Sequence, residues 1–152
     1  MARNFEGGKL KTISTQIIRT TDYDHFKQIF ELLPSIKNLS YSPKDLKVWW
    51  IKNFNERMFR VWVETDDEKK AIQSFMIAQI IKPLLEDEIF IMLTCIDPHS
   101  DKGQEFMSGV EGWARTLGIK RISAYVNREA LGFCHKYNFT EGNREIFKTL
   151  EY

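Results

Sequence analysis

The sequence predicts an α/β domain of the α+β kind: a mixed, mostly antiparallel central sheet with helices on both faces. Two observations carry this. Short β-branched or alternating segments at residues 12–19, 59–64 and 71–81 precede an almost continuous apolar run at 88–96, as expected of antiparallel strands leading to a central strand covered on both sides. From residue 103 the apolar period changes to that of a helix, and a second strand pattern follows it, which is a β-α-β unit. The order reads β-α-α-β-β-β-α-β-α-β.

The chain has 152 residues, 43% hydrophobic and 13% aromatic, enough for one core and one domain spanning 1–152. Residues 1–10 carry Gly7-Gly8 and little periodicity, and read as a flexible arm. Thr12–Arg19 reads as the first strand. Asp22 caps a helix whose apolar face is Phe26, Ile29, Phe30 and Leu33, and Pro34 ends it. Ser42-Pro43 opens a second helix with Leu46, Trp49, Trp50 and Phe54 as its buried stripe. Phe59–Glu64 and Ala71–Ile81 form a hairpin about the acidic turn Thr65–Glu68. Glu88–Ile96 is the central strand. Phe106, Val110, Trp113, Ala114 and Leu117 line one face of a helix over Gly103–Leu117, with Gly118 as its C-cap. Arg121–Val126 is a short strand, Arg128–Tyr137 a short helix ended by a left-handed Asn138, and Arg144–Tyr152 a last strand.

Lys and Arg total 22 against 21 Asp and Glu, so no long-range field for nucleic acid exists. Near-neutral charge also offers little protection against self-association. Cys95 and Cys134 are isolated, which excludes the paired thiolates of a structural zinc site; no metal is expected. Apolar runs are too short to span a bilayer, and the N-terminus lacks a signal-like run, so no membrane partner and a cytoplasmic setting are expected.

Two stretches carry a family resemblance. Trp113-Ala114-Arg115-Thr116-Leu117-Gly118-Ile119-Lys120-Arg121-Ile122, and Asn127-x-x-Ala130-x-x-Phe133-Cys134-x-x-Tyr137-Asn138-Phe139, resemble passages of the GNAT (Gcn5-related N-acetyltransferase) superfamily. The resemblance covers the second half of the chain; the first half agrees in element order. It implies acetyl-CoA as acyl donor and an amine as acceptor, the amine attacking directly. By that resemblance the cofactor contacts are Ile96, Lys102, Gly103, Gln104 and Asn127. Cys134, or failing it Tyr137, would protonate the leaving thiolate, and Glu88 would serve as base.

The sequence departs from the family in two places. Pro98-His99-Ser100-Asp101-Lys102-Gly103 is about three residues shorter than the family's pyrophosphate loop and carries Asp101 where a glycine belongs. Two unit charges about 4 Å apart repel by roughly 4 kcal/mol at an effective dielectric of 20, several hundredfold in affinity. The second departure is Cys134, which stands where the family often has Tyr. Both support an alternative: a GNAT-like scaffold with a degenerate active site that has lost cofactor binding and acts through a protein partner or as a homodimer. Asp101 and Glu105 then simply complement the helix dipole, Gly103 is a plain loop glycine, and Cys134 is core packing.

Overall fold

The computed structural model describes residues 3–6, 9–12, 14–36, 39, 41–124 and 136–140. The described elements are β1 (Arg3–Glu6), β2 (Lys9–Thr12), β3 (Gln16–Thr20), α1 (Tyr23–Leu32) with a 3-10 turn at Leu33–Ser35, α2 (Pro43–Asn53), β4 (Phe59–Thr65), β5 (Ile72–Ile81), β6 (Glu88–Cys95), α3 (Gly103–Leu117) and β7 (Ile122–Ala124). Strands β3-β4-β5-β6-β7 form one sheet in that order, antiparallel throughout except for the parallel pair β6–β7. This is the mixed, mostly antiparallel sheet that the sequence predicts.

Residues 1–10 are expected to be an arm, yet Arg3–Glu6 pairs antiparallel with Lys9–Thr12 as a separate two-stranded sheet. Glu6 opposite Lys9 is the spacing of a two-residue hairpin, and a Gly-Gly pair between two such runs is the sequence signal for it. The first strand of the main sheet accordingly starts at Gln16 rather than Thr12.

Capping residues act as expected. The Asp22 carboxylate accepts from the Asp24 amide and the Ser42 hydroxyl from the Asp45 amide, at 2.9 and 3.1 Å. Gly118 and Asn138 both have positive φ. The sheet sorts its side chains by alternation. Phe59, Val61 and Val63 of β4, with Phe75 and Ile77 of β5, pack on Phe26, Ile29 and Leu33 and on Trp50 of α2. Trp62, Met76, Ala78, Ile89 and Ile91 face α3, where they meet Phe106, Met107, Val110, Trp113 and Ala114. Gly109 admits the Trp62 indole: a Cβ there would lie 2.6 Å from Nε1.

A β-bulge changes the pattern in β6. Ile77 pairs with Leu93 but Ala78 with Ile91, so Met92 is an extra residue with no partner on β5. Ile89 and Ile91 therefore face α3, whereas Leu93 and Cys95 face the opposite side with α1 and α2. A run apolar at every position hides that switch in the sequence. The described β6–β7 pairing covers Ile89–Ile91 opposite Ile122–Ala124.

The expected helix over 128–137 and strand over 144–152 lie largely or wholly outside the described residues, as do Tyr125 and Val126.

Candidate functional site

The end of β6 leads through residues 96–102 into α3, and this connection is the candidate site. Ser100 donates its amide to the Asp97 carbonyl at 2.9 Å, closing a turn, and the Asp97 carboxylate accepts the His99 amide at 2.8 Å. That amide holds the Asp97 carboxyl below its ordinary range, against partial desolvation. Lys102 occupies the N-cap position without a side-chain cap, and its carbonyl accepts from the amides of Glu105 and Phe106. Among the described residues, the amides of Gly103 and Gln104 have no hydrogen-bond partner. Such amides, at the positive end of a helix dipole, form an anion seat.

The acidic side chains do not cap that seat. Asp101 is exposed, and Glu105 points to Lys102, with Nζ at 3.2 Å from its carboxylate. The hydrogen bond to Glu105 raises the Lys102 ammonium above its ordinary value. Lys102 is thus a fixed cation beside two free amides.

Tyr137 joins them. A Cβ built on Gly103 would lie 2.0 Å from the Tyr137 hydroxyl, so that hydroxyl sits against the first residue of α3. Gly103 is glycine because the phenol needs the space. The resemblance makes Tyr137 a substitute acid for the thiolate; the structure sets its hydroxyl at the start of α3. Ile96 follows β6 and is half-buried against the α3-facing cluster. Gln104 is exposed. Glu88 lies at the other end of β6, buried, with its carboxylate 2.5 Å from Nε of Arg121. The structure therefore brings Lys102, Gly103, Gln104 and Tyr137 together and keeps Glu88 apart from them. Cys134 and Asn127 lie outside the described residues.

Sequence reasoning missed the group beneath this mouth. Glu64 is 1% exposed and accepts from the hydroxyls of Thr15, Ser74 and Ser100 at 2.6, 2.8 and 2.7 Å. The signal was present: Glu64 shares the β4 face of Trp62, and a face that buries a tryptophan buries its neighbour two residues on.

Among the described residues no cluster of His, Cys, Asp or Glu could hold a metal ion, and no helix is long and apolar enough to cross a membrane.

The fold is that of the GNAT acetyltransferases. Among solved structures, an aminoglycoside N-acetyltransferase in complex with CoA is similar at TM-score 0.72 and 12% identity, over 93% of this chain and 98% of that one. Glucosamine-6-phosphate N-acetyltransferase from Arabidopsis thaliana is similar at TM-score 0.68 and 14% identity, over 91% and 99%. A predicted acetyltransferase from Clostridium acetobutylicum, solved with acetyl-CoA, is similar at 0.71 and 10%, over 90% and 96%. No protein-family model matches the sequence, and comparison of the sequence with curated proteins finds no match.

Proposed function

We propose that the chain is an acyl-CoA-dependent N-acyltransferase that moves an acetyl group from acetyl-CoA to an amine. The observation that carries this is the unpartnered pair of amides at Gly103 and Gln104, which neither the exposed Asp101 nor Glu105, held by Lys102, caps. Had those carboxylates capped the helix, the seat would be filled. The diphosphate of the donor fits there, held by the two amides and Lys102, with Asn127 and Ile96 contributing by the resemblance. When bound, acetyl-CoA supplies an activated thioester.

The chain's own residues then handle orientation and protons. The bulge at Met92 adds one backbone N–H to β6 outside the β5 ladder, and a bulge of this kind can aim a donor at a developing oxyanion. Glu88, which contacts Arg121, is the proton acceptor for the amine. Cys134 returns a proton to the sulfur as the C–S bond breaks. Tyr137 is a wall of the diphosphate seat in this reading.

Thermal unfolding with and without acetyl-CoA tests the proposal. A ligand at a hundred times its dissociation constant stabilises by about 2.7 kcal/mol, roughly 5–10 °C for a chain of this size. Lys102→Ala should reduce that shift. No shift at millimolar acetyl-CoA retires the enzyme.

The second reading is a scaffold of the same fold. It draws on Val48 and Ile51, exposed on α2 beside a partly exposed Trp49. It predicts a stoichiometric partner on that face and no acetyl-CoA shift.

A further inference from the structure

Glu64 is the one fully buried carboxylate near the site, and the proposed chemistry does not use it. Its three hydroxyl partners come from three separate segments: Thr15 just before β3, Ser74 of β5, and Ser100 of the loop before α3. Two of those hydroxyls are themselves occupied by backbone amides. Ser74 Oγ accepts the Asp97 amide at 2.9 Å, and Ser100 Oγ accepts the Lys102 amide at 3.1 Å. A serine hydroxyl has one proton to give and lone pairs to receive. Each serine spends its proton on Glu64 and takes a loop amide in return. Residues 97–102 are thus tied at both ends to one carboxylate.

A buried carboxylate is expensive unless fully hydrogen-bonded, and an apolar residue beside Trp62 would fill the same space. What the carboxylate adds is direction. Charge-assisted bonds are short and about twice as strong as neutral ones. Here they act on the backbone immediately before the two free amides.

We infer that Glu64 is a positioning residue for the diphosphate seat: through Ser74 and Ser100 it fixes the course of residues 97–102, and so the direction in which the Gly103 and Gln104 amides face. The identity of the ligand rests on the acyl-CoA reading; the strap does not.

Two measurements on the full chain separate these. Amide hydrogen exchange reads the strap, and calorimetry with CoA and with S-acetylpantetheine, which lacks the diphosphate, reads the seat. Glu64→Ala should speed exchange at Asp97 and Lys102 by about tenfold or more. It should weaken CoA by about tenfold or more and leave S-acetylpantetheine within about twofold. Glu64→Gln keeps an oxygen for both serines and should stay within about threefold of wild type in both assays. If Glu64→Ala fails to fold, Ser100→Ala should speed exchange at Lys102 alone, with the same selective loss of CoA. Unchanged exchange at Asp97 and Lys102 in the alanine variants overturns the inference. So does an equal loss of both ligands. If wild type binds no CoA, the acyl-CoA reading fails, and the exchange pattern alone decides the strap.

Discussion

Gly103→Ala is a one-carbon test of the contact that defines the mouth of α3. The new Cβ would lie 2.0 Å from the Tyr137 hydroxyl oxygen, against ordinary contact from 3.4 Å, so roughly 1.4 Å must be recovered by moving a phenol that is packed into the α3-facing core. Overpacking of this kind costs about 1–3 kcal/mol. Alanine is otherwise the better helix residue by about 1 kcal/mol, and Gly112 shows the unopposed case, with nothing within 4 Å of its Cβ position. Gly112→Ala should therefore stabilise by about 0.5–1 kcal/mol, while Gly103→Ala should destabilise by about 1–3 kcal/mol. In Tm that is a fall of roughly 2–10 °C. Tyr137→Phe removes the offending oxygen and leaves Cζ, at 3.2 Å, as the nearest atom. In the Tyr137→Phe background the alanine should then lose less than half as much. Denaturant titration of the four chains gives the coupling energy directly. An additive cycle, or a Gly103→Ala variant as stable as wild type, would refute the contact. The same contact means that a large residue at 103 would disturb folding before it reported on ligand binding.

Other groups respond in different assays. His25 is buried and joins Thr20 Oγ1 to the Lys69 carbonyl at 2.6 and 2.7 Å, holding α1 against the β4–β5 turn, where Lys69 has positive φ. His25→Ala takes the imidazole from the Lys69 carbonyl and leaves Thr20 Oγ1 with the Asp22 amide alone, and should cost about 1–3 kcal/mol by denaturant titration, with faster exchange confined to residues 66–70. The lowered Asp97 carboxyl contributes stability that is present above the ordinary carboxylate value of 3.8 and lost as pH falls through its folded value. Asp97→Asn should remove that part of the acid-side loss, seen by comparing unfolding at pH 5 and pH 2. Burial pushes the Cys95 thiol up, so it stays protonated beyond the pH at which a free thiol ionises. In a Cys134→Ala background, alkylation at neutral pH should be slow until denaturant unfolds the chain, whereas rapid labelling of the native protein would contradict that burial.

The long elements were legible because each had a period and a punctuation mark. Helix α3 runs Gly103–Leu117 as its apolar spacing and Gly118 indicate, and Pro34 and Ser42-Pro43 bound the first two helices where expected. Strand limits drifted by one to four residues at Gln16, Ile72 and Cys95, where side chains alternate but nothing marks the ends. The pairing of β1 with β2 is not legible, because a Gly-Gly pair signals a flexible segment and a tight turn alike. The bulge at Met92 was illegible in principle: Ile91, Met92 and Leu93 are equally apolar, so the change of face leaves no trace in composition. The site was half legible. Lys102, Gly103 and Gln104 followed from the helix start, but Tyr137 against Gly103 is a contact across 34 residues that only packing reveals.

The same packing revises the charge argument that made the loop look hostile to a diphosphate. The sequence sets Asp101 where the family has a glycine, with Glu105 one turn on, and a carboxylate about 4 Å from the ligand costs roughly 4 kcal/mol at an effective dielectric of 20. In the structure both carboxylates are exposed, and Glu105 is paired with Lys102. For groups in water the same separation is worth about 1 kcal/mol, further reduced beyond a Debye length of about 8 Å. The part of the penalty due to either exposed carboxylate shrinks from several hundredfold to about fivefold, within reach of one adjacent ammonium and two unpartnered amides. The charge that is not screened is Glu64, and it is the one that three hydroxyls surround. Around this loop the buried carboxylate is thus the one that holds the backbone, while Asp101 and Glu105 lie where solvent weakens them.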